Sequence, residues 1–352
     1  MTLNVFDNLW RYQITIDVYR SLIWTSRYYY CGDFELIIPA DKELLPKLLP
    51  NFYIMRPDSN EVMIIEKFEI VTDRENGDTF KLSGRSLLSL LDRRITWNIG
   101  IEYINESPSA VIINLVHDNI TPSSTDTSFS QYSPTQRYMH GFTLVNLVVD
   151  TGETMSCQSF GENLLDRVSE IAKTYGYGIK VTADPAAVAP YTFTVYQKSD
   201  RDIVADVSEN IITSTFTNDT TTYKNMAMVG GSGQGVNRWL RTSYLDTTEP
   251  TDINRRELYV DASDKNQLAE NAQTYPEVMR ATGRQELTNC NHSRVFEATT
   301  DKDLGLDLGD VVTADNGYGI RVQARVTEII ESWSAEEGHL VVTTFSTWER
   351  SG

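Results

Sequence analysis

Strand follows strand for the first 95 residues, and that order constrains the fold more than any other feature. Gln13 to Tyr19 alternates Ile14, Ile16 and Val18 against Thr15 and Asp17, the period of a half-buried strand. Ser21 to Tyr30 is a second run, rich in Ile, Trp, Thr and Tyr; Gly32 breaks it and Phe34 to Ile38 resumes before Pro39. Glu61 to Val71 and Thr79 to Ser83 flank an Asn76-Gly77 turn signal, which predicts a hairpin. Only short helical turns are expected here, at Asp41 to Leu49 with Asp41 as N-cap, and at Gly84 to Leu91. Strands joined directly to strands pair antiparallel, so a doubly wound α/β sheet is disfavoured.

The pattern changes over residues 96–190. Ser107-Pro108 offers an N-cap and a first-turn proline for a helix to about His117. Residues 120–140, rich in Ser, Thr, Pro and Gln, read as an exposed loop. Ser159 and Glu162 form a capping box for a helix that puts Leu164, Leu165, Val168, Ile171, Ala172 and Tyr175 on one face and ends at Gly176. Strands return at Tyr191 to Gln197, Ile211 to Thr217 and Tyr223 to Val229. A third helical segment starts near Ser263 and is interrupted at Pro276. Arg321 to Ile330 alternates and can pair with His339 to Phe345 across Glu336-Glu337-Gly338. The chain therefore reads as β, helix-containing insert, β, mixed insert, β.

Charge and composition limit the function classes. Against 31 basic residues stand 49 acidic ones, a net charge of −18, with −6 over residues 1–150 and −12 over 151–352. Such a surface does not grip nucleic acid by its phosphates. Cys31, Cys157 and Cys290 are odd in number and widely spaced, which excludes a disulfide framework. No export signal or membrane-spanning apolar run is visible.

Chemistry-bearing motifs are weak. Gly230-Gly231-Ser232-Gly233-Gln234-Gly235 follows a strand, yet Val236 stands where the dinucleotide fingerprint needs glycine, and no Gly-Lys-Ser/Thr is present; a turn or domain junction is expected. Cys290-x-His292 is one pair without a second, so no metal site is expected. Neither Cys157 nor Cys290 carries a nucleophile signature with His117, His140, His292 or His339. Glu328 and Glu331, like Glu336 and Glu337, read as solvated carboxylates rather than a glycosidase pair. Trp24 and Tyr28-Tyr29-Tyr30 read as core or interface aromatics, and Arg93-Arg94 and Arg255-Arg256 as salt-bridge or subunit-contact groups. A structural or binding role is favoured, with no catalytic residue, metal or cofactor.

Three stretches carry a resemblance: Ser21-Leu-Ile-Trp-Thr-Ser-Arg-Tyr-Tyr-Tyr-Cys-Gly-Asp-Phe-Glu-Leu-Ile-Ile-Pro39, Phe80-Lys-Leu-Ser-Gly-Arg-Ser-Leu-Leu-Ser-Leu-Leu-Asp-Arg-Arg-Ile95, and Leu308-Gly-Asp-Val-Val with Arg325-Val-Thr-Glu-Ile-Ile-Glu331. In this order they resemble the gene-37-like tail proteins of siphophages and prophages of Gram-positive bacteria, within the wider tail-hub group that includes the N-terminal region of tail-associated lysins. The resemblance implies a mainly β fold with α/β insertions: two tail-tube-like β-barrels, each carrying an inserted domain. The first barrel would be 1–95, with strands near 191–230 able to complete it; 96–190 would be its helix-containing insertion. The second would be 191–235 and 293–352, with 236–292 as a mixed insertion. It further implies a homotrimeric ring at the virion tail tip, made in the host cytoplasm, that lets DNA pass. Its partners would be the distal tail protein, the tape-measure protein and other tail-tip or receptor-binding proteins. Relatives often continue into a peptidase, lysin or receptor-binding region; the end at Gly352 sets the expectation that this chain does not. Trp24, Arg27, Tyr28, Tyr29, Tyr30, Arg93 and Arg94 are the candidate subunit contact. The alternatives are a cell-wall hydrolase and a carbohydrate-binding adhesin using Trp24, Trp239 or Trp333.

Overall fold

The computed structural model describes residues 1–75, 77–97, 102–121, 139–198, 203–263, 275–290, 293–300, 304–315, 317–319, 321–334 and 338–346. Asn76, His292, Glu336, Glu337 and most of the 120–140 loop lie outside them.

The N-terminal part is an antiparallel sheet of β1 (Leu3–Phe6), β2 (Tyr12–Ile16), β3 (Ser21–Arg27), β4 (Asp33–Pro39), β5 (Tyr53–Met55), β6 (Val62–Val71) and β7 (Thr79–Ser86). Alternation sets its core. Along β4, Phe34, Leu36 and Ile38 point inward against Leu22 and Trp24 of β3 and Phe80 and Leu82 of β7. Pro39 ends β4 as expected, and a 3-10 turn over Leu87–Arg93 buries Leu87, Leu88, Leu90 and Leu91.

A first α/β insert follows: β8 (Glu102–Glu106), α1 (Pro108–Ile120), β9 (Phe142–Asn146), β10 (Met155–Gln158), α2 (Leu164–Tyr175), β11 (Gly178–Ala183) and β12 (Tyr191–Tyr196). Ser107 caps α1 by accepting from the Ala110 N–H at 3.4 Å. The capping box of α2 is displaced. Asn163, not Ser159, accepts the N–H groups of Leu165 and Asp166, at 2.9 and 3.2 Å; Ser159 instead donates to the Glu162 carboxylate one turn too early. Gly176 closes α2 in the left-handed conformation (φ 71°). β12 departs from its expected place in the second barrel. It runs parallel to β9 and antiparallel to β11, because Phe193 and Val195 are buried with the apolar faces of α1 and α2.

The chain then forms β13 (Ile203–Asp206) and β14 (Ile211–Asp219) before a second α/β insert of β15 (Met226–Gly230), β16 (Leu240–Tyr244), β17 (Glu257–Asp261) and α3 (Tyr275–Asn289). Here too a boundary moves. β15, expected in the second barrel, pairs among the described residues with β16 and β17 alone and buries Ala227 and Val229 under α3. Pro276 lies in the first described turn of α3; residues 264–274, where the third helical segment is expected to begin, lie outside the described residues.

The last strands are β18 (Ser293–Thr300), β19 (Val311–Asp315), β20 (Arg321–Ser334) and β21 (Gly338–Ser346). β20, 14 residues long, joins the halves of the molecule. It pairs with β19 over its first part, with β21 over its second, and with β3 from Glu328 to Ser334. One sheet of 13 strands results, in the order β14-β18-β21-β20-β3-β4-β7-β6-β5-β1-β2, with β13 and β19 branching from β20. The fold is mainly β with few helices. Among the described residues the strand pairing does not close into a barrel.

Candidate functional site

The β3–β20 pairing places charged residues face to face. Their register sets Arg27 opposite Glu328 and Trp24 opposite Glu331. Arg27 donates to Glu328 at 2.5 Å and to the Cys31 carbonyl at 2.8 Å, and also pairs with Asp33. Arg56, just beyond β5, donates to Asp58 at 3.0 Å and to Glu331 at 2.5 Å. Its guanidinium lies 5.5 Å from the Trp24 ring centre and 5.0 Å from that of Trp333, on which His339 stacks in parallel at 4.7 Å. Lys198, after β12, donates to Asp310 at 2.6 Å and Asp307 at 3.0 Å. Glu328 and Glu331, expected as solvated carboxylates, are thus ion-pair partners with side chains only 24% and 21% exposed.

Around these pairs opens a cleft of about 770 Å³, walled by the N-terminal sheet, the first insert and the C-terminal strands. Glu61 lies in it. One carboxylate oxygen accepts from the Trp24 indole at 3.0 Å and from Ser26 Oγ at 2.5 Å. Burial raises its pKa above the ordinary glutamate value, against those hydrogen bonds and the nearby Arg56. Beside the cleft, Tyr28 forms the joint. Its ring packs edge-on to Tyr196 at 5.3 Å and under Arg325 at 5.4 Å, and a Cβ at Gly309 would come within 2.5 Å of it. Arg325, 1% exposed, donates to the Gly309 carbonyl at 3.1 Å.

The expected subunit-contact residues do not share one surface. Trp24, Tyr28 and Tyr29 are buried inside the chain, and Arg27 is held by its ion pairs. The chain leaves β3 after Arg27, so the tyrosines turn off the sheet and fill the gap to the insert. Tyr30 and Arg93 are exposed; Arg94 is half-buried and donates to the Arg93 carbonyl at 2.9 Å. Of these rings only Tyr30 is left exposed by its own chain. Sequence reasoning missed Arg56, Glu61 and Lys198. Arg56 and Glu331 are 275 positions apart, and only charges set inside an apolar strand pattern hinted at such a pairing.

The other motifs resolve into packing. Ser232, in the glycine segment, donates its N–H to Tyr275 Oη at 2.9 Å, and a Cβ at Gly231 would come within 2.5 Å of that oxygen, so glycine there lets α3 approach. A 3-10 turn follows at Gly235–Asn237, not an α-helix. Cys31 is buried, and burial pushes its thiol up to about 12. Among the described residues no group of three or more His, Cys, Asp or Glu side chains is placed to hold a metal ion. The three tryptophans of the adhesin alternative are engaged within the chain: Trp24 is buried, Trp333 meets Arg56 and His339, and Trp239 meets Arg241 and Tyr275. No described helix is long and apolar enough to cross a membrane.

Residues 2–345 match the family model described as Siphovirus ReqiPepy6 Gp37-like protein. The fold is similar to that of the tail protein from Neisseria meningitidis MC58, with a TM-score of 0.59 at 13% identity over 98% of this chain and 96% of that one. It is similar to the 43 kDa tail protein of prophage MuSo2 from Shewanella oneidensis, with a TM-score of 0.59 at 12% identity over 98% of both chains. Prophage tail protein gp18 from Listeria monocytogenes EGD-e gives a TM-score of 0.54 at 10% identity, over 99% of this chain and 95% of that one. Identities this low speak for the fold alone. No curated protein matches in sequence.

Proposed function

From the premise that the chain belongs to the siphovirus ReqiPepy6 Gp37-like family, we propose that it is a structural tail-hub protein of a phage or prophage tail tip. In this reading three chains form a ring that links the tail tube and distal tail protein to the tip, with the tape-measure protein and other tip proteins as neighbours. Each chain contributes two tube-like β units, one before and one after the first insert. The observation that carries the reading is the fold match to phage tail proteins along nearly the whole length of both chains.

Physical arguments support it. A hub transmits load between neighbours, and here β20 stitches the two β units into one sheet through 7 paired positions with β3. The net charge of −18 suits a channel that DNA must traverse without sticking, because an acidic wall repels phosphate. A closed threefold ring needs heterologous contacts, in which two different surfaces of the chain meet. Tyr30 and Arg93 are exposed for such a contact. In this reading the chain has no catalytic role and binds DNA only in transit.

The test is copy number. Light scattering on concentrated protein should give about 120 kDa, three times the chain mass of 39.9 kDa, and imaged tails should show three copies. A monomer in solution, together with one or six copies in the tail, would remove the hub assignment.

A further inference from the structure

A second cleft, of about 760 Å³, opens between the two inserts, walled by β10 and the end of α2 on one side and by β16 and α3 on the other. A recess of about 100 Å³ adjoins it and shares Ser156 and Gln285 with it. Two donors that line this recess are left over. Arg167 Nε from α2 and Gln285 Nε2 from α3 are buried and have no hydrogen-bond partner among the described residues. The Arg167 side chain is only 11% exposed. Its Nη1 donates to Glu170 at 2.7 Å, but the Glu162 carboxylate stands 3.7 Å from Nε, beyond hydrogen-bond reach. Buried donors without acceptors are costly, so the recess calls for an acceptor.

Charge decides which acceptor. Across cleft and recess the cations are Arg167, Arg280 and Arg284, and the carboxylates are Glu153, Glu162, Asp246, Glu277 and Glu286, three against five. An anion would meet that excess of negative charge, and a cation has no lone pair for two donors. A neutral carbonyl oxygen fits, since its two lone pairs can serve both. The recess has room for about three water-sized groups, the size of an acetyl group. Ile104 and Val278 line it and suit the methyl. The open cleft has another character. Glu153, Asp246, Glu277, Arg280 and Arg284 have no ion pair or side-chain hydrogen bond among the described residues. These planar groups of both signs stand among Thr154, Thr174, Thr242, Thr247 and Thr288. They match a ligand rich in hydroxyls, which donate and accept alike. Tyr175 and Tyr244, both half-buried, supply ring surface.

We propose that this joint binds an N-acetylated amino sugar of a short oligosaccharide. The acetamido carbonyl accepts from Arg167 Nε and Gln285 Nε2 in the recess, and the ring hydroxyls lie in the open cleft. A cleft of about 760 Å³ falls within the usual size of small-molecule sites, about 300–1,000 Å³. None of Trp24, Trp239 and Trp333 lines it, so it differs from the sugar contact expected of those tryptophans. An occupant would tie the two inserts together. The proposal does not depend on the trimer; it needs only the folded chain.

The test titrates the full-length protein, by calorimetry and ligand-observed NMR, with triacetylchitotriose, with N-acetylgalactosamine, and with cellotriose, which carries a hydroxyl in place of each acetamido group. Saturable binding of an acetylated sugar in the millimolar range is expected, with cellotriose weaker about tenfold or more. Hydrogen exchange over β10 and α3 should slow when the sugar binds. Gln285→Leu, which removes one donor at similar volume, should weaken binding about tenfold. Glu75→Gln, an exposed carboxylate elsewhere, should leave it unchanged. If Gln285→Leu does not fold, triacetylchitotriose against cellotriose on the unaltered protein decides. Absence of binding by both acetylated sugars, equal binding of triacetylchitotriose and cellotriose, or unchanged affinity in a folded Gln285→Leu would overturn the proposal. An acetyl-lysine peptide that binds as tightly as the trisaccharide would overturn the sugar assignment, because the acetyl group alone would then be read.

Discussion

The two α/β inserts share a plan and differ in how they are fastened. In each, a central strand has one parallel and one antiparallel neighbour: β12 between β9 and β11, β15 between β17 and β16. In each, helix packs on one face. The first insert has a core continuous with the main sheet, because Tyr28, Tyr29, Tyr53, Val62 and the leucines of the 87–93 turn belong to the same cluster as α1 and α2. The second closes on itself. Its buried apolar cluster is Ala227, Val229, Val260, Ala262, Tyr275, Met279 and Leu287, all from its own stretch of chain. Its junction with the first insert holds a cleft of about 760 Å³ lined mostly by polar side chains, with Met155, Leu245 and Ala281 among them, and a 3.0 Å hydrogen bond from Asn289 to Glu170. One insert is welded by apolar burial and the other meets its neighbour across a mostly polar joint. The first should unfold with the main sheet, whereas the second can open by itself.

Breaking the weld should have the largest effect. Tyr28→Ala removes a fully buried ring that meets Tyr196 of the first insert and Arg325 of the C-terminal strands. Loss of a buried aromatic costs about 3–5 kcal/mol. Urea denaturation should show one transition shifted by that amount, with main sheet and first insert still unfolding together. If the first insert alone were lost, the weld would be weaker than its packing indicates.

The second insert offers the complementary experiment. At Gly283 in α3, a Cβ would come within 2.6 Å of Val229 Cγ2 and 2.7 Å of Ser243 Oγ. Gly283→Ala should therefore force α3 off its sheet, at about 1–3 kcal/mol for overpacking, despite alanine's better helix propensity. Hydrogen exchange should rise over residues 226–262 and 275–289 and stay unchanged over α1 and α2. Faster exchange in both inserts would show that the polar joint couples them.

These fastenings differ in how legible they were. Element types follow from local pattern: alternation in β4, the Ser107-Pro108 start of α1 and the Gly176 stop of α2 are all within a few residues of the structure they specify. Partnership is another matter. Tyr191 to Tyr196 has the same alternation whether it joins a barrel or an insert; what assigns it to β9 and β11 is helix burial set by residues up to 85 positions earlier. The aromatic run Trp24 to Tyr30 was legible as core or interface rings, but not ring by ring: Trp24, Tyr28 and Tyr29 are buried in their own chain and Tyr30 is exposed. The cleft was the least legible part, since Arg56, Glu61, Lys198 and Glu331 come together only through the β3–β20 pairing.

The smallest effect sharpens the weld at one hydrogen bond. Sequence spacing favours Ser159 as the cap of α2, whereas the structure gives that place to Asn163. Asn163 has two roles. Its side-chain oxygen accepts from the Leu165 and Asp166 N–H groups, and its amide donates to the Asp92 carboxylate at 2.8 Å and the Asp92 carbonyl at 3.2 Å. It thereby ties the start of α2 to the leucine-rich turn of the main sheet. Asn163→Ala should cost about 1–2 kcal/mol, the range for loss of a helix cap. Ser159→Ala should cost less, because Ser159 contacts only the Glu162 side chain and no helix N–H. Asp92 supplies a second readout. Arg85 and Asn163 hold its pKa below the ordinary aspartate value, with burial opposing them. That lowered value stabilises the fold above the unfolded-state pKa and is lost as pH falls through the folded one. With Asn163 replaced, the Asp92 pKa followed by NMR should rise toward the ordinary value, and part of the acid-sensitive stability should disappear. Equal costs for the two alanine variants, with Asp92 unmoved in both, would return the cap to Ser159 and leave the weld to apolar packing alone.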